Sequence, residues 1–154
     1  MMLYLDNAAT TLKKPLSVYA TLFKSTLFSG GNAGRGGHKM SMDAVRAIVD
    51  TQDLIAQLFN IKKAENIVFT QNATYALNTA ILGTMSNGGH IVVTEMDHNS
   101  VLRPACLPGN YTVVKADKSG YVHAEDVEKA VRKDTKLIVC TLSLIHISEP
   151  TRHL

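Results

Sequence analysis

Apolar positions recur along this chain with changing period, and each change marks an element. Ile67-Val68-Phe69-Thr70 is a short continuous run of β-branched and aromatic residues, which predicts a buried strand. Directly after it, Ala73, Ala76, Leu77, Ala80 and Ile81 return at steps of three and four. That spacing predicts a helix whose narrow, small-residue face lies flat on a sheet. Ser86-Asn87-Gly88-Gly89 stops the helix, and Ile91-Val92-Val93-Thr94 predicts a second strand that leads into Glu95-Met96-Asp97-His98-Asn99. Strand, helix and strand in this order form a parallel, right-handed unit with both strand ends at one edge of the sheet.

The same patterning extends to both sides of this unit. Leu3-Tyr4-Leu5 reads as a short strand running into Asp6-Asn7-Ala8-Ala9-Thr10-Thr11, a turn of small residues that lets backbone approach a neighbour closely. Pro15 opens a helix with Leu16, Tyr19, Leu22, Phe23 and Leu27 on one face. Ser41 is the expected N-cap of a long amphipathic helix, with Asp43 in its first turn and Ala44, Val45, Ile48, Ile55, Leu58 and Phe59 inward. Past the central unit, a helix from Ser100 is ended or bent by Pro104, Tyr111 to Val114 is a strand, and Glu125 to Val131 is a short helix. Lys136 to Thr141 is a strand apolar on both faces, which wants a neighbour on each side. Alternating strands and helices without repeat or linker predict a three-layer α/β/α sheet.

Composition narrows the function classes. The 154 residues are 45% hydrophobic and 19% charged, ordinary values for a globular protein. A net charge of +3 with scattered Lys and Arg makes no case for nucleic acid. No apolar run reaches membrane-span length, and Asp6 and Asn7 stand where a signal peptide would be apolar, so no membrane and a cytoplasmic setting are expected. Two cysteines, Cys106 and Cys140, are too few for a disulfide framework or a zinc knuckle; each reads as a buried or loop thiol.

Two places carry candidate chemistry. Free N–H groups and the positive dipole end at the start of the Ala73 helix suit a phosphate or carboxylate, with the Thr74 hydroxyl adding to them and His98 over the same spot. The plainer alternative is an ordinary strand-to-helix turn with a solvated Thr and a surface His. The second place is Ser29-Gly-Gly-Asn-Ala-Gly-Arg-Gly-Gly-His38, expected to be the most flexible loop of the chain. It follows no strand and fits neither the dinucleotide nor the Walker phosphate pattern. What remains is Arg35, suited to a carboxylate or phosphate, with His38 beside it, or else a solvated charged loop.

With these stretches placed, the chain resembles the N-terminal part of class V aminotransferases, the pyridoxal-phosphate family that includes cysteine desulfurases. The resemblance is carried by Tyr4-Leu-Asp-Asn-Ala-Ala-Thr-Thr11, Gly34-Arg-Gly-Gly-His-Lys-Met-Ser41, Ile67-Val-Phe-Thr-Gln-Asn-Ala-Thr74, Met96-Asp-His-Asn-Ser-Val-Leu-Arg-Pro104 and Thr135-Lys-Leu-Ile-Val-Cys-Thr141. It implies the large domain of a fold type I enzyme with pyridoxal 5'-phosphate as cofactor. It further implies that Ala73 and Thr74 bind the cofactor phosphate, and that His98 stacks on the pyridine ring and relays protons. Asn7, Ala8 and Ala9 would line the substrate side, and Arg35 and His38 would sit on a loop reaching an active site at a homodimer interface. The implied reaction takes sulfur from L-cysteine, leaving L-alanine and an enzyme persulfide for a sulfur-acceptor protein, as in iron–sulfur cluster assembly. A selenocysteine lyase or a true aminotransferase is the near alternative.

On the same resemblance, the family's Schiff-base lysine, pyridine-nitrogen aspartate and persulfide cysteine all lie beyond residue 141. Lys39, Lys136, Cys106 and Cys140 do not match their positions. Leu142 to Leu154 departs from the family and resembles translated sequencing-adapter read-through, so residues 1–141 are read as the family segment and 142–154 as a non-native tail. As it stands the polypeptide is expected to be inactive, poorly soluble and at best a weak binder of the cofactor. Two other classes stay on the table: a non-catalytic α/β binding module, and a metal hydrolase on His38, His90, His98 and His123, whose spacing matches no ligand motif.

Overall fold

The computed structural model describes residues 3–5, 11–34 and 36–141. They fall into two compact units, Met1–Val68 and Phe69–Leu154.

The first unit is helical. Helix α1 covers Leu16–Phe28 with Pro15 as its N-cap, as the proline and the apolar spacing predict. Its apolar face is not covered by the described residues: Leu22, Phe23 and Leu27 are all more than half exposed. Residues 3–5 form no strand. Helix α2 covers Lys39–Leu58, three residues earlier than a Ser41 cap predicts, because His38 is the N-cap, its Nδ1 accepting the Ser41 N–H at 3.4 Å. Ser41 is instead fully buried, its hydroxyl 2.8 Å from the carbonyls of both Asn32 and Gly36. Two carbonyls of the glycine-rich segment are therefore held at the start of α2. Gly31 shows why glycine is needed there: a Cβ would lie 2.3 Å from the Met40 carbonyl, and backbone cannot step aside.

The second unit holds a three-stranded parallel sheet in the order β2-β1-β3, with β1 His90–Thr94, β2 Tyr111–Val114 and β3 Thr135–Ile138. Helices α3 (Ala73–Met85), α4 (Asn99–Cys106) and α5 (Ala124–Ala130) flank it. Every residue of β1 is buried, which a run of β-branched residues between two parallel neighbours requires. Ile91 and Val93 pack with Ile81 and Met85 of α3 and with Val101 and Ala105 of α4. The inward face of α3 is thus Leu77, Ile81 and Met85, whereas Ala73, Ala76 and Ala80 are exposed. Pro104 does not end α4. It is buried in the second turn, and the helix continues to Cys106.

Two strand expectations are corrected. Ile67 to Thr70 is not a buried strand: it pairs with no strand among the described residues, and Val68 is 77% exposed. An apolar run makes a strand only where a partner offers ladder hydrogen bonds, and here β1-α4-β2 is the parallel crossover unit instead. β3, predicted to want two neighbours, pairs with β1 alone among the described residues and leaves Ile138 47% exposed at the edge. Cys106 and Cys140 are exposed rather than buried, and neither is disulfide-bonded. No helix among the described residues is long and apolar enough to cross a membrane.

At the opposite end of β1 from its turn into α4, the fully buried His90 joins all three strands. Its Nδ1 lies 2.8 Å from the Thr135 hydroxyl and its Nε2 2.8 Å from the Thr112 hydroxyl. Burial holds this imidazole below its usual range; the positive charge of Arg132 adds to the effect and the Asp134 carboxylate opposes it. The unfolded chain then binds a proton that the folded chain refuses. Stability from neutral His90 is intact above about pH 6.5, the ordinary histidine value, and is lost as pH falls toward the lowered native one. Denaturant unfolding should show this loss as pH falls below about 6.5, before the carboxylates titrate. His90→Gln should flatten the slope in that interval, and an unchanged slope would contradict the assignment. Ile81→Ala, at a position 1% exposed, should cost about 2–5 kcal/mol in the same assay.

Candidate functional site

The site is built from two helix starts in the second unit. Asn72, extended at φ −167° and ψ 171°, is the N-cap of α3. Its side-chain oxygen accepts the Tyr75 N–H at 3.0 Å, its carbonyl accepts the Ala76 N–H at 3.1 Å, and the Thr70 hydroxyl donates to that carbonyl at 2.9 Å. The N–H groups of Ala73 and Thr74 and the Thr74 hydroxyl meet no partner among the described residues. The helix dipole adds partial positive charge at this end.

The second start follows β1. Glu95 and Met96 turn the chain, the Asp97 N–H donates to the Thr94 carbonyl at 3.1 Å, and His98 becomes the N-cap of α4 at φ −66° and ψ 154°. Its Nδ1 accepts the Ser100 N–H at 3.1 Å and lies 2.9 Å from the Ser100 hydroxyl. A nitrogen that accepts from an amide carries no proton, so the neutral ring holds its proton on Nε2. That nitrogen has no protein partner among the described residues.

Thr74 and Asn78 of α3 and His98, Asn99, Ser100, Arg103 and Pro104 of the β1–α4 segment line one cavity of about 330 Å³. Its volume falls within the span of about 300–1,000 Å³ typical of small-molecule sites. Helix α3 and helix α4 pack directly against each other, which fixes the distance between the two starts. The cavity lining includes Thr74, with its amide and hydroxyl, the His98 imidazole and the Arg103 guanidinium, groups suited to an anion. Arg103 makes no ion pair among the described residues.

Thr74 and His98 are thus brought to one cavity, and Ala73 supplies the amide before Thr74. Asn7, Ala8, Ala9 and Arg35 lie outside the described residues. His38 belongs to the first unit, where it caps α2 by the same Nδ1 device that His98 uses on α4. No three His, Cys, Asp or Glu side chains gather to hold a metal ion among the described residues. Sequence reasoning missed Asn78 and Arg103, although both were within reach: Asn78 is one turn beyond Thr74, and Arg103 is one turn beyond Asn99. It also missed Asp97, a buried carboxylate whose two oxygens accept four hydrogen bonds. Oδ2 takes the Thr94 N–H at 2.7 Å and the Thr94 hydroxyl at 2.9 Å. Oδ1 takes the Thr141 N–H at 2.8 Å and the Thr141 hydroxyl at 2.6 Å.

Known proteins resemble this chain in sequence and fold. The aminotransferase class-V family profile matches residues 3–144. A probable cysteine desulfurase of Aeropyrum pernix is 33% identical over 96% of this chain and 37% of its own length. The cysteine desulfurase IscS of Dictyoglomus turgidum is 34% identical over 88% of this chain and 36% of its own length. Among solved structures, a NifS-like protein superposes with a TM-score of 0.81 at 25% identity, covering 91% of this chain and 40% of that one. A second, described as SspA in complex with cysteine, gives 0.78 at 26% identity over 89% and 41%. The chain therefore spans little more than a third of the length of the curated relatives it matches.

Asn72→Ala should lower the unfolding free energy by about 1 kcal/mol through loss of the α3 cap. Chemical denaturation measures this directly, and an unchanged midpoint would show that the cap does not carry the turn.

Proposed function

This chain belongs to the aminotransferase class-V family, and from that premise we propose that it carries the phosphate-binding and ring-facing part of a pyridoxal 5'-phosphate site in a cysteine desulfurase. Enzymes of this family work with that cofactor. The observation that carries the reading is the single cavity shared by Thr74, at the start of α3, and His98, at the start of α4. The fit is chemical as well as spatial. Two backbone amides and a hydroxyl without partners among the described residues suit a phosphate, and a flat imidazole suits the face of an aromatic ring.

In this reading, Ala73 and Thr74 bind the phosphate through their amides, and the Thr74 hydroxyl adds a charge-assisted bond. When bound, pyridoxal phosphate supplies the electron-accepting ring that spreads negative charge developing beside the amino group. His98 holds its ring against the cavity with Nδ1 committed to Ser100, so proton exchange with a ligand runs through Nε2. Asn7, Ala8, Ala9, Arg35 and His38 form the substrate side, the last two from a neighbouring subunit of a homodimer. The substrate is L-cysteine, an amino acid that the structural neighbour SspA is described as holding. The products are L-alanine and a persulfide sulfur passed to an acceptor protein. The lysine that would bind the cofactor covalently, the aspartate at its ring nitrogen and the persulfide cysteine are matched by no residue of 1–141. The chain by itself is therefore inactive in this account, and residues 145–154 lie beyond the stretch that the family profile matches.

Titrating the purified chain with pyridoxal phosphate should give a weak but saturable change in the cofactor's absorption. Thr74→Val should weaken binding about tenfold, the scale of one hydrogen bond to a charged group. Pyridoxal, which lacks the phosphate, should bind less well and be indifferent to that substitution. A wild-type chain without saturable binding, or equal loss for both ligands, would contradict the phosphate assignment. A gene product that extends this segment to family length should release alanine from cysteine.

A further inference from the structure

Asp97 lies next to His98 in the chain, is 5% exposed, and has no cation partner among the described residues. A buried carboxylate is costly unless its lone pairs are met, and here they are met in full by two amides and two hydroxyls. The pattern is selective for a carboxylate. One backbone N–H approaches each oxygen, Thr94 at Oδ2 and Thr141 at Oδ1, so an amide side chain would set its own NH2 against one of those donors. The two threonines belong to different strand segments. Thr94 closes β1, and Thr141 follows β3 by three residues and is 44 positions away from Asp97 in sequence. Asp97 therefore ties the end of the β3 strand segment to the turn that presents His98. It also stands one residue before the N-cap of α4, where the helix dipole favours negative charge.

We infer that Asp97 is a positioning residue: its carboxylate locks the β1–α4 turn to Thr141 and so holds the His98 imidazole, Nδ1 on Ser100 and Nε2 toward the ligand, at the cavity wall. The inference deepens the cofactor reading above and rests on it for its meaning, but the state of the His98 ring reports on Asp97 without any ligand. In the wild-type chain at pH 8, the His98 ring nitrogens should show one neutral tautomer by 15N NMR, with Nδ1 unprotonated. Asp97→Asn should move both nitrogens toward the average of two exchanging tautomers, and Thr141→Val, which removes one hydroxyl and keeps the charge, should move them the same way by less. If Asp97→Asn does not fold, the Thr141→Val shift decides the matter by itself. Wild-type nitrogen shifts in the folded variants would overturn the inference.

Pyridoxal phosphate affinity supplies the second readout. Asp97→Asn should weaken it about tenfold in the wild-type chain and less than about twofold in a His98→Ala background, since a residue acting through another loses its effect when that other is gone. An equal loss in both backgrounds would make Asp97 a general structural residue and overturn the inference. A wild-type chain that binds no cofactor, yet shows the tautomer shifts, would sink the cofactor reading and leave the positioning role standing.

Discussion

Burial of β1 on every side is the constraint from which the second unit follows. A strand with a parallel neighbour on each side must be reached by crossover connections; those are α4 and α5, while α3 leads into β1. Ile91 and Val93 draw Ile81, Met85, Val101 and Ala105 onto one face, which packs α3 on α4. Two helix starts then share one cavity, and each is closed by a side chain that leaves polar groups open toward it. Asn72 satisfies the Tyr75 amide and His98 satisfies the Ser100 amide with Nδ1, while the Ala73 and Thr74 amides and His98 Nε2 meet no partner among the described residues. Binding chemistry at this edge is thus a by-product of how the helices are capped.

The polar residues of the sheet divide the labour by end. His90 joins Thr112 and Thr135 where β1 begins, and Asp97 joins Thr94 and Thr141 beyond where it ends. Around His90, Arg132 donates to Asn110 at 2.6 Å, and Asn110 donates to Asp134 at 3.1 Å, so the lower loops are cross-linked as well. Both groups bridge all or part of the sheet through hydrogen bonds. Networks of this kind specify register, because a slip of one residue would leave buried donors unmet.

Local signals carried much of this into the sequence. The helices, the strand at Ile91 to Thr94 and the stop at Ser86 to Gly89 could all be read from spacing. Non-local facts could not. Ile67 to Thr70 has strand composition, but whether a ladder partner exists is decided elsewhere in the chain. Ser41 has the better capping chemistry, yet the glycines upstream let the backbone fold over it and hand the cap to His38. Asp97 announced half of itself: an acid three residues past Thr94 suits a side-chain to backbone bond, while its other partner is 44 residues on. The exposed face of α1 shows that apolar spacing predicts a helix without saying what covers it.

The central claim is that the start of α3 and the ring of His98 serve one ligand. Amide and imidazole NMR spectra recorded on the same samples during addition of pyridoxal phosphate test it most directly. The account predicts that the Thr74 amide and the His98 ring signals shift together along one binding curve with a single Kd. Shifts at one of them alone, or two curves with different midpoints, would contradict it.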